Sequence, residues 1–248
     1  MNITGNTILI TGGGSGIGRG LAEALQAKGN TIIIAGRRER MLDEVTQANP
    51  GMESMLLDIQ DGADIAAFAR QAIERFPALN VVINNAGIMR PEQRIDLPTA
   101  EETIATNLLG PIRLTAALLP HLLAQPRASL VTVSSGLAFV PLAATPTYSA
   151  TKAAIHSWSM ALRHQLKDSP VEVIEIAPPY VQTELLGPQQ AVDPDAMPLA
   201  AFIDEVMAIL EAAPASGEVI VERCKPLRFA AENGQLETLF GALASREY

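Results

Sequence analysis

A doubly wound α/β fold, with a parallel sheet between two layers of helices, is what this chain predicts, and three observations carry the prediction. Short β-branched runs alternate with segments whose apolar residues recur at helical spacing. A glycine cluster stands at the first strand-to-helix junction. The 248 residues, 48% of them hydrophobic, suffice for one core of that kind.

Thr7 to Thr11 is a short β-branched run that stops at glycine, and Ile17 to Lys28 then carries apolar side chains at helical spacing until Gly29-Asn30 ends it. Thr31 to Ala35 is a second buried strand. The pattern repeats with a strand at Met55 to Leu57, a helix at Ala63 to Phe76, and strands at Val81 to Ile83 and Leu130 to Val133. A helix from about Ala150 to Leu166 and a strand at Val171 to Ile176 follow. Regular alternation and flanking turns favour strands over buried helix for these short apolar runs. Pro178, Pro179, Gly187, Pro188, Pro194 and Pro198 then break the alternation. The segment 184–199 reads either as a flap or as an ordinary connection. Leu199 to Glu211 resumes helical spacing, and a helical segment from Phe229 to Leu243 closes a single domain over residues 1–248.

Composition narrows the function. A formal net charge of -9 disfavours a nucleic-acid surface, which needs clustered Lys and Arg. The single cysteine, Cys224, excludes an internal disulfide, and no Cys/His metal cluster is visible. No stretch approaches the roughly 20 apolar residues that span a bilayer. A cytoplasmic protein without membrane partners is expected.

Thr11-Gly12-Gly13-Gly14-Ser15-Gly16-Ile17-Gly18 lies where a phosphate-binding turn must sit, because glycines admit a pyrophosphate to the backbone and a helix N-terminus presents free N–H groups. The spacing departs from G-x-G-x-x-G, and no Gly-Lys-Ser/Thr follows to make a nucleotide-hydrolysing loop. A tight turn without ligand remains open. Tyr148 and Lys152 stand four apart on a predicted helix and so share a face. Reducing a carbonyl by hydride requires a proton for the developing alkoxide, and a phenol whose phenolate is stabilised by a nearby ammonium can supply it. Spacing alone would equally describe a surface pair.

Together these motifs resemble the short-chain dehydrogenase/reductase family: Thr-Gly-x-x-x-Gly-x-Gly, then Asn84-Asn85-Ala86-Gly87, Asn107 in Thr106-Asn107-Leu108-Leu109-Gly110, Ser135, and Tyr148-Ser149-Ala150-Thr151-Lys152. The match runs to about Thr183. It implies a Rossmann-type fold and a nicotinamide-dependent oxidoreductase acting on a small carbonyl or alcohol. It assigns catalysis to Asn107, Ser135, Tyr148 and Lys152, with Lys152 also holding the nicotinamide ribose and Asn107 ordering a water. Ser135 is preferred to Ser134 because it stands thirteen positions before Tyr148. By the same resemblance the dinucleotide meets Gly12, Ser15, Gly16, Ile17, Gly18, Asp58, Ile59, Asn85, Ala86, Gly87, Val181 and Thr183. Asp58 reads equally as a strand-end turn residue.

Gly36 occupies the place of the acid that binds the ribose of NAD, and Arg37 and Arg38 follow, so NADP is favoured over NAD. The arginines could instead merely begin a solvated helix. Pro179 replaces the glycine of the family's Pro-Gly-x-Val-x-Thr, fixing φ and removing an N–H. The ending, in which Val219-Ile220-Val221-Glu222-Arg223 leads to Cys224-Lys225-Pro226, resembles the DltE-like subgroup and implies a homodimer. The substrate pocket is expected between Leu137–Thr147 and the flap, with Leu137, Phe139, Val140, Leu142, Leu185 and Leu186 as apolar candidates.

A hydrolase built from Ser134 or Ser135 with His121, His156 or His164 lacks the Gly-x-Ser-x-Gly elbow, so the histidines read as helix-surface or packing residues; Trp158 and Met160 read as helix packing, with Trp158 as a substrate wall the lesser alternative. A catalytically silent dinucleotide-binding regulator or scaffold is the alternative from another class; a pure binder would need no proton relay.

Overall fold

A computed structural model describes residues 1–245; residues 246–248 of the expected domain lie outside it. Seven strands form one sheet in the order β3-β2-β1-β4-β5-β6-β7: β1 (Thr7–Thr11), β2 (Thr31–Gly36), β3 (Glu53–Leu56), β4 (Leu79–Asn84), β5 (Ala128–Val133), β6 (Val171–Ile176) and β7 (Glu218–Val219). Every neighbouring pair is parallel. The winding reverses between β1 and β4, and a crevice opens beyond their carboxyl ends, as in any doubly wound sheet.

Period-two alternation sends Ile8 and Ile10 of β1 into one core and Leu9 into the other, and all three are fully buried, as a sheet covered on both faces requires. The first core is closed by α1 (Gly16–Ala27), α2 (Glu39–Ala48) and α7 (Leu199–Glu211). The second is closed by α3 (Gly62–Arg75), α5 (Gly110–Leu123) and α6 (Pro146–Gln165). Asp61 caps α3 by accepting from Ala63 N at 2.7 Å, and Asp96 caps α4 (Leu97–Ile104) by accepting from Thr99 N at 3.3 Å.

Several boundaries differ from the expected ones. β3 starts at Glu53, because its ladder pairs Glu53–Leu56 with Ile33–Gly36 of β2. α6 starts at Pro146 rather than near Ala150, since proline is well placed in a first helical turn, and Tyr148 and Lys152 both fall within this helix. A π-helical turn, Ala105–Leu109, joins α4 to α5. The closing helix expected from Phe229 to Leu243 is shorter: a one-turn α8 (Lys225–Arg228) precedes it, residues 229–234 are turns with Gly234 at φ +65°, and only α9 (Leu236–Ala244) is helical. Segment 184–199 contains a 3₁₀ turn, Pro188–Val192, and folds back on the strand end: Met197 N donates to Tyr180 O at 2.8 Å and Gln182 N to Met197 O at 2.9 Å. Among the described residues no helix is long and apolar enough to cross a membrane.

Candidate active site

The glycine turn sits where β1 hands over to α1, and Gly12 and Gly18 show why a side chain is excluded there. Gly12 has φ +68°, and a Cβ there would lie 2.9 Å from Ala86 Cα. A Cβ on Gly18 would lie 2.4 Å from both Asn85 Nδ2 and Gly12 O, so this glycine lets α1 press against the loop after β4. That loop clamps the turn. Thr11 Oγ1 accepts from Asn85 N and Ala86 N, each at 3.1 Å, while Asn85 Nδ2 donates to Thr11 O at 2.9 Å.

A cleft of about 610 Å³ runs from this turn in both directions. At one end stand Arg37 and Arg38, both exposed, with Arg38 Nη2 donating to Ser15 Oγ at 3.0 Å. Gly12, Ser15, Gly16 and Ile17 lie in its middle, with Ile59, Asn85, Ala86 and Gly87. The far end holds Ser135, Tyr148, Lys152, Pro179, Val181 and Thr183. Three of the catalytic and cofactor-binding candidates stand outside the lining: Gly18, which packs as described, Asp58 and Asn107. Asp58 Oδ1 accepts from Gln60 N at 3.1 Å, the behaviour of a turn residue.

Tyr148 and Lys152, 6% and 5% exposed, project together from α6. The Lys152 Nζ donates to Val133 O at 2.8 Å and lies 5.5 Å from the centre of the Tyr148 ring. Burial pushes the phenol up to about 12, opposed by a hydrogen bond with Ser135. Burial also pulls the ammonium down to about 8, opposed by the charge of Glu175. Ser135 is fixed at the end of β5, its Oγ accepting from Leu137 N at 3.1 Å. Asn107 lies behind the pair in the π turn, an irregularity that aims its side chain sideways. Its Oδ1 accepts from Ile88 N at 2.9 Å, and its Nδ2 donates to Ile88 O at 2.8 Å and to Thr151 Oγ1 at 3.3 Å. It thus braces the chain beside the cleft against α6.

Gln190, which carries no motif signal, is buried in the 3₁₀ turn of segment 184–199 and lines the cleft. Its Nε2 donates to Val181 O at 2.8 Å and Thr183 Oγ1 at 3.2 Å, and its Oε1 accepts from Leu186 N at 2.8 Å. Arg90 also lines the cleft without having been legible in the sequence, and Glu184 lines it from the start of the expected flap. Of the apolar pocket candidates, Leu185 lines the cleft, whereas Val140 and Leu142 are core residues and Phe139 stacks edge-on against His156. His156 is not a simple packing residue, since its Nδ1 lies 2.9 Å from Glu175 Oε2. Met160, expected to pack, is instead 55% exposed, whereas Trp158 packs against the second core as expected.

The family described as short chain dehydrogenase matches residues 6–193. An uncharacterized oxidoreductase, DltE, of Bacillus subtilis (strain 168) is 47% identical over 192 residues, 75% of each chain. A short chain dehydrogenase from Burkholderia cenocepacia J2315, solved in complex with NADP, is 26% identical and superposes with a TM-score of 0.82 over 99% of this chain and 100% of the other. Another from Shigella flexneri 2a, also complexed with NADP, is 25% identical with a TM-score of 0.72, covering 81% and 90%.

Proposed function

The chain belongs to the short-chain dehydrogenase/reductase family of oxidoreductases, and from that premise we propose that it interconverts a carbonyl and an alcohol with NADP(H), using Tyr148 as general acid and base. The convergence of Ser135, Tyr148 and Lys152 at one end of the cleft carries this reading. The cleft fits a dinucleotide in order: guanidinium groups for a 2′-phosphate at Arg37 and Arg38, a helix N-terminus and glycine turn for the pyrophosphate, then the phenol and ammonium. Val181 and Thr183 would hold the nicotinamide amide. When bound, the dinucleotide supplies or accepts the hydride and, oxidised, adds positive charge.

In reduction, the protonated phenol of Tyr148 gives its proton to the carbonyl oxygen while the Ser135 hydroxyl holds that oxygen. In oxidation the phenolate takes the proton from the alcohol. Bringing a phenol from about 12 to neutrality requires ~7 kcal/mol. The buried Lys152 ammonium, 5.5 Å from the centre of the Tyr148 ring, favours the phenolate. Positive charge and oriented donors of the loaded site add to it.

Tyr148→Phe tests the assignment: turnover of a carbonyl panel, read by nicotinamide absorbance, falls by about 10²- to 10⁴-fold while dinucleotide affinity is unchanged. Wild-type rates in the variant would remove Tyr148 from the chemistry. A dimer in the cytoplasm, formed from one domain spanning residues 1–248, completes the proposal, and four subunits by light scattering would overturn the dimer.

A further inference from the structure

The face of α6 that carries Tyr148 and Lys152 continues one turn further to His156, and this column ends on a charge that proton transfer at Tyr148 does not by itself require. Glu175, next to last in β6, is 0% exposed between Ile174 and Ile176, a setting in which a carboxylate is costly unless paired. Its two oxygens lie 2.9 and 3.1 Å from His156 Nδ1. In the ladder Glu175 opposes Thr132 of β5, the residue before Val133, whose carbonyl receives the Lys152 ammonium. On its other side it opposes Glu218 of β7.

The charged and titratable groups around the pair are Tyr148 and Lys152 from α6, Glu218 from β7, Cys224, and Arg228 from α8. Arg228 Nε and Nη2 donate to Glu218 at 2.8 and 3.2 Å, and its guanidinium lies over the rings of Phe139 and Phe229. Burial, followed by the charge of Glu175, pushes the Cys224 thiol up to about 12. Ligand atoms of His156, Glu175 and Glu218 lie within 4.8 Å of one another, as in a metal site, but the bidentate Arg228 already fills the cation's place against Glu218. That leaves Glu175 facing the column of α6.

We propose that Glu175 is a positioning residue for proton transfer: its carboxylate, oriented by His156, holds Lys152 in the ammonium form beneath Tyr148. The inference rests on the reading that Tyr148 and Lys152 move the proton. Burial pulls the lysine down to about 8, and the carboxylate is the charge that resists it. The hydrogen bond to Glu175 is the main influence raising His156. At low pH the imidazolium cancels the carboxylate; as pH rises and the imidazole becomes neutral, the negative charge is unmasked where Lys152 would otherwise lose its proton.

The lysines of the chain are Lys28, Lys152, Lys167 and Lys225, so a protein labelled with ¹³C-lysine gives a short NMR spectrum in which Lys152→Arg identifies the Lys152 signal. In the dinucleotide-free wild type this signal titrates near 8. In Glu175→Gln the titration moves to lower pH by about one unit, and the alkaline limb of kcat/KM moves with it, whereas Glu175→Asp retains the wild-type position. If Glu175→Gln does not fold, Glu175→Leu with His156→Leu removes both halves of the pair without orphaning either and shows the same shift. An unmoved Lys152 titration in the folded variant overturns the inference. An active Tyr148→Phe enzyme overturns instead the proton-transfer reading, while the NMR titration still reports on Glu175 and Lys152.

Discussion

Replacing both Arg37 and Arg38 by alanine empties the adenosine end of the cleft of its guanidinium groups while leaving the glycine turn in place. Both side chains are exposed, neither forms an ion pair with a carboxylate among the described residues, and Arg38 is already oriented by Ser15 Oγ at 3.0 Å. They therefore meet a 2′-phosphate without first breaking a salt bridge. A hydrogen bond to a charged group contributes about 1.5–3 kcal/mol, and exposure holds each arginine to the low end. Two such groups give roughly 2–3 kcal/mol, which corresponds to a loss of about 30- to 150-fold in NADP affinity. NAD, which lacks the phosphate, loses no more than about threefold by the same reasoning. Calorimetric titration of both dinucleotides at low and high salt reads the difference, and the wild-type preference for NADP shrinks with salt while that of the variant does not. Equal losses for NAD and NADP would mean that the arginines support the fold of the turn, and an unchanged NADP affinity would refute the reasoning altogether.

Gly18→Ala forces a Cβ to within 2.4 Å of Asn85 Nδ2 and Gly12 O, and overpacking of about 1–3 kcal/mol lowers the melting temperature by roughly 3 to 10 °C; an unshifted transition would mean that α1 moves freely. Gln190→Leu orphans Val181 O and Leu186 N and weakens NADPH binding several-fold, with the affinity for adenosine 2′,5′-bisphosphate unchanged; tighter NADPH binding would show that the glutamine amide competes for the nicotinamide's seat. Because the folded state holds Lys152 at about 8 and the unfolded chain near 10.5, the folded protein binds fewer protons between these values. Lys152 therefore makes stability in urea rise between pH 8 and about pH 9, above which the raised Cys224 thiol opposes it, and Lys152→Met abolishes that rise.

What could be read in advance followed local rules. The β-branched runs identified the sheet because strands buried on both faces need continuous apolar sequence, and the glycine turn located its switch point. Ser135, Tyr148 and Lys152 meet because a strand end and a helix face bring them together, and spacing encodes the helix face directly. Gln190 was illegible because its partners are backbone atoms, which have no side-chain signature. The pairs His156–Glu175 and Arg228–Glu218 each join a helix residue to a strand residue through tertiary packing, and no periodicity within one segment reports that. Apolar spacing argued for helix from Phe229 onward, whereas the chain turns over 229–234, with Gly234 at positive φ, before α9 begins.

The π turn at Ala105–Leu109 places one surplus residue in an otherwise continuous rod from Leu97 to Leu123. Each residue of a helix turns its successor by about 100°, so the surplus is a whole step that cannot be shared out or relaxed away. Deleting any one residue of the turn would swing Asn107 away from Ile88, or α5 away from α3, but could not spare both. Sequence drift along this rod is therefore free in the identity of its side chains and closed to changes in its length.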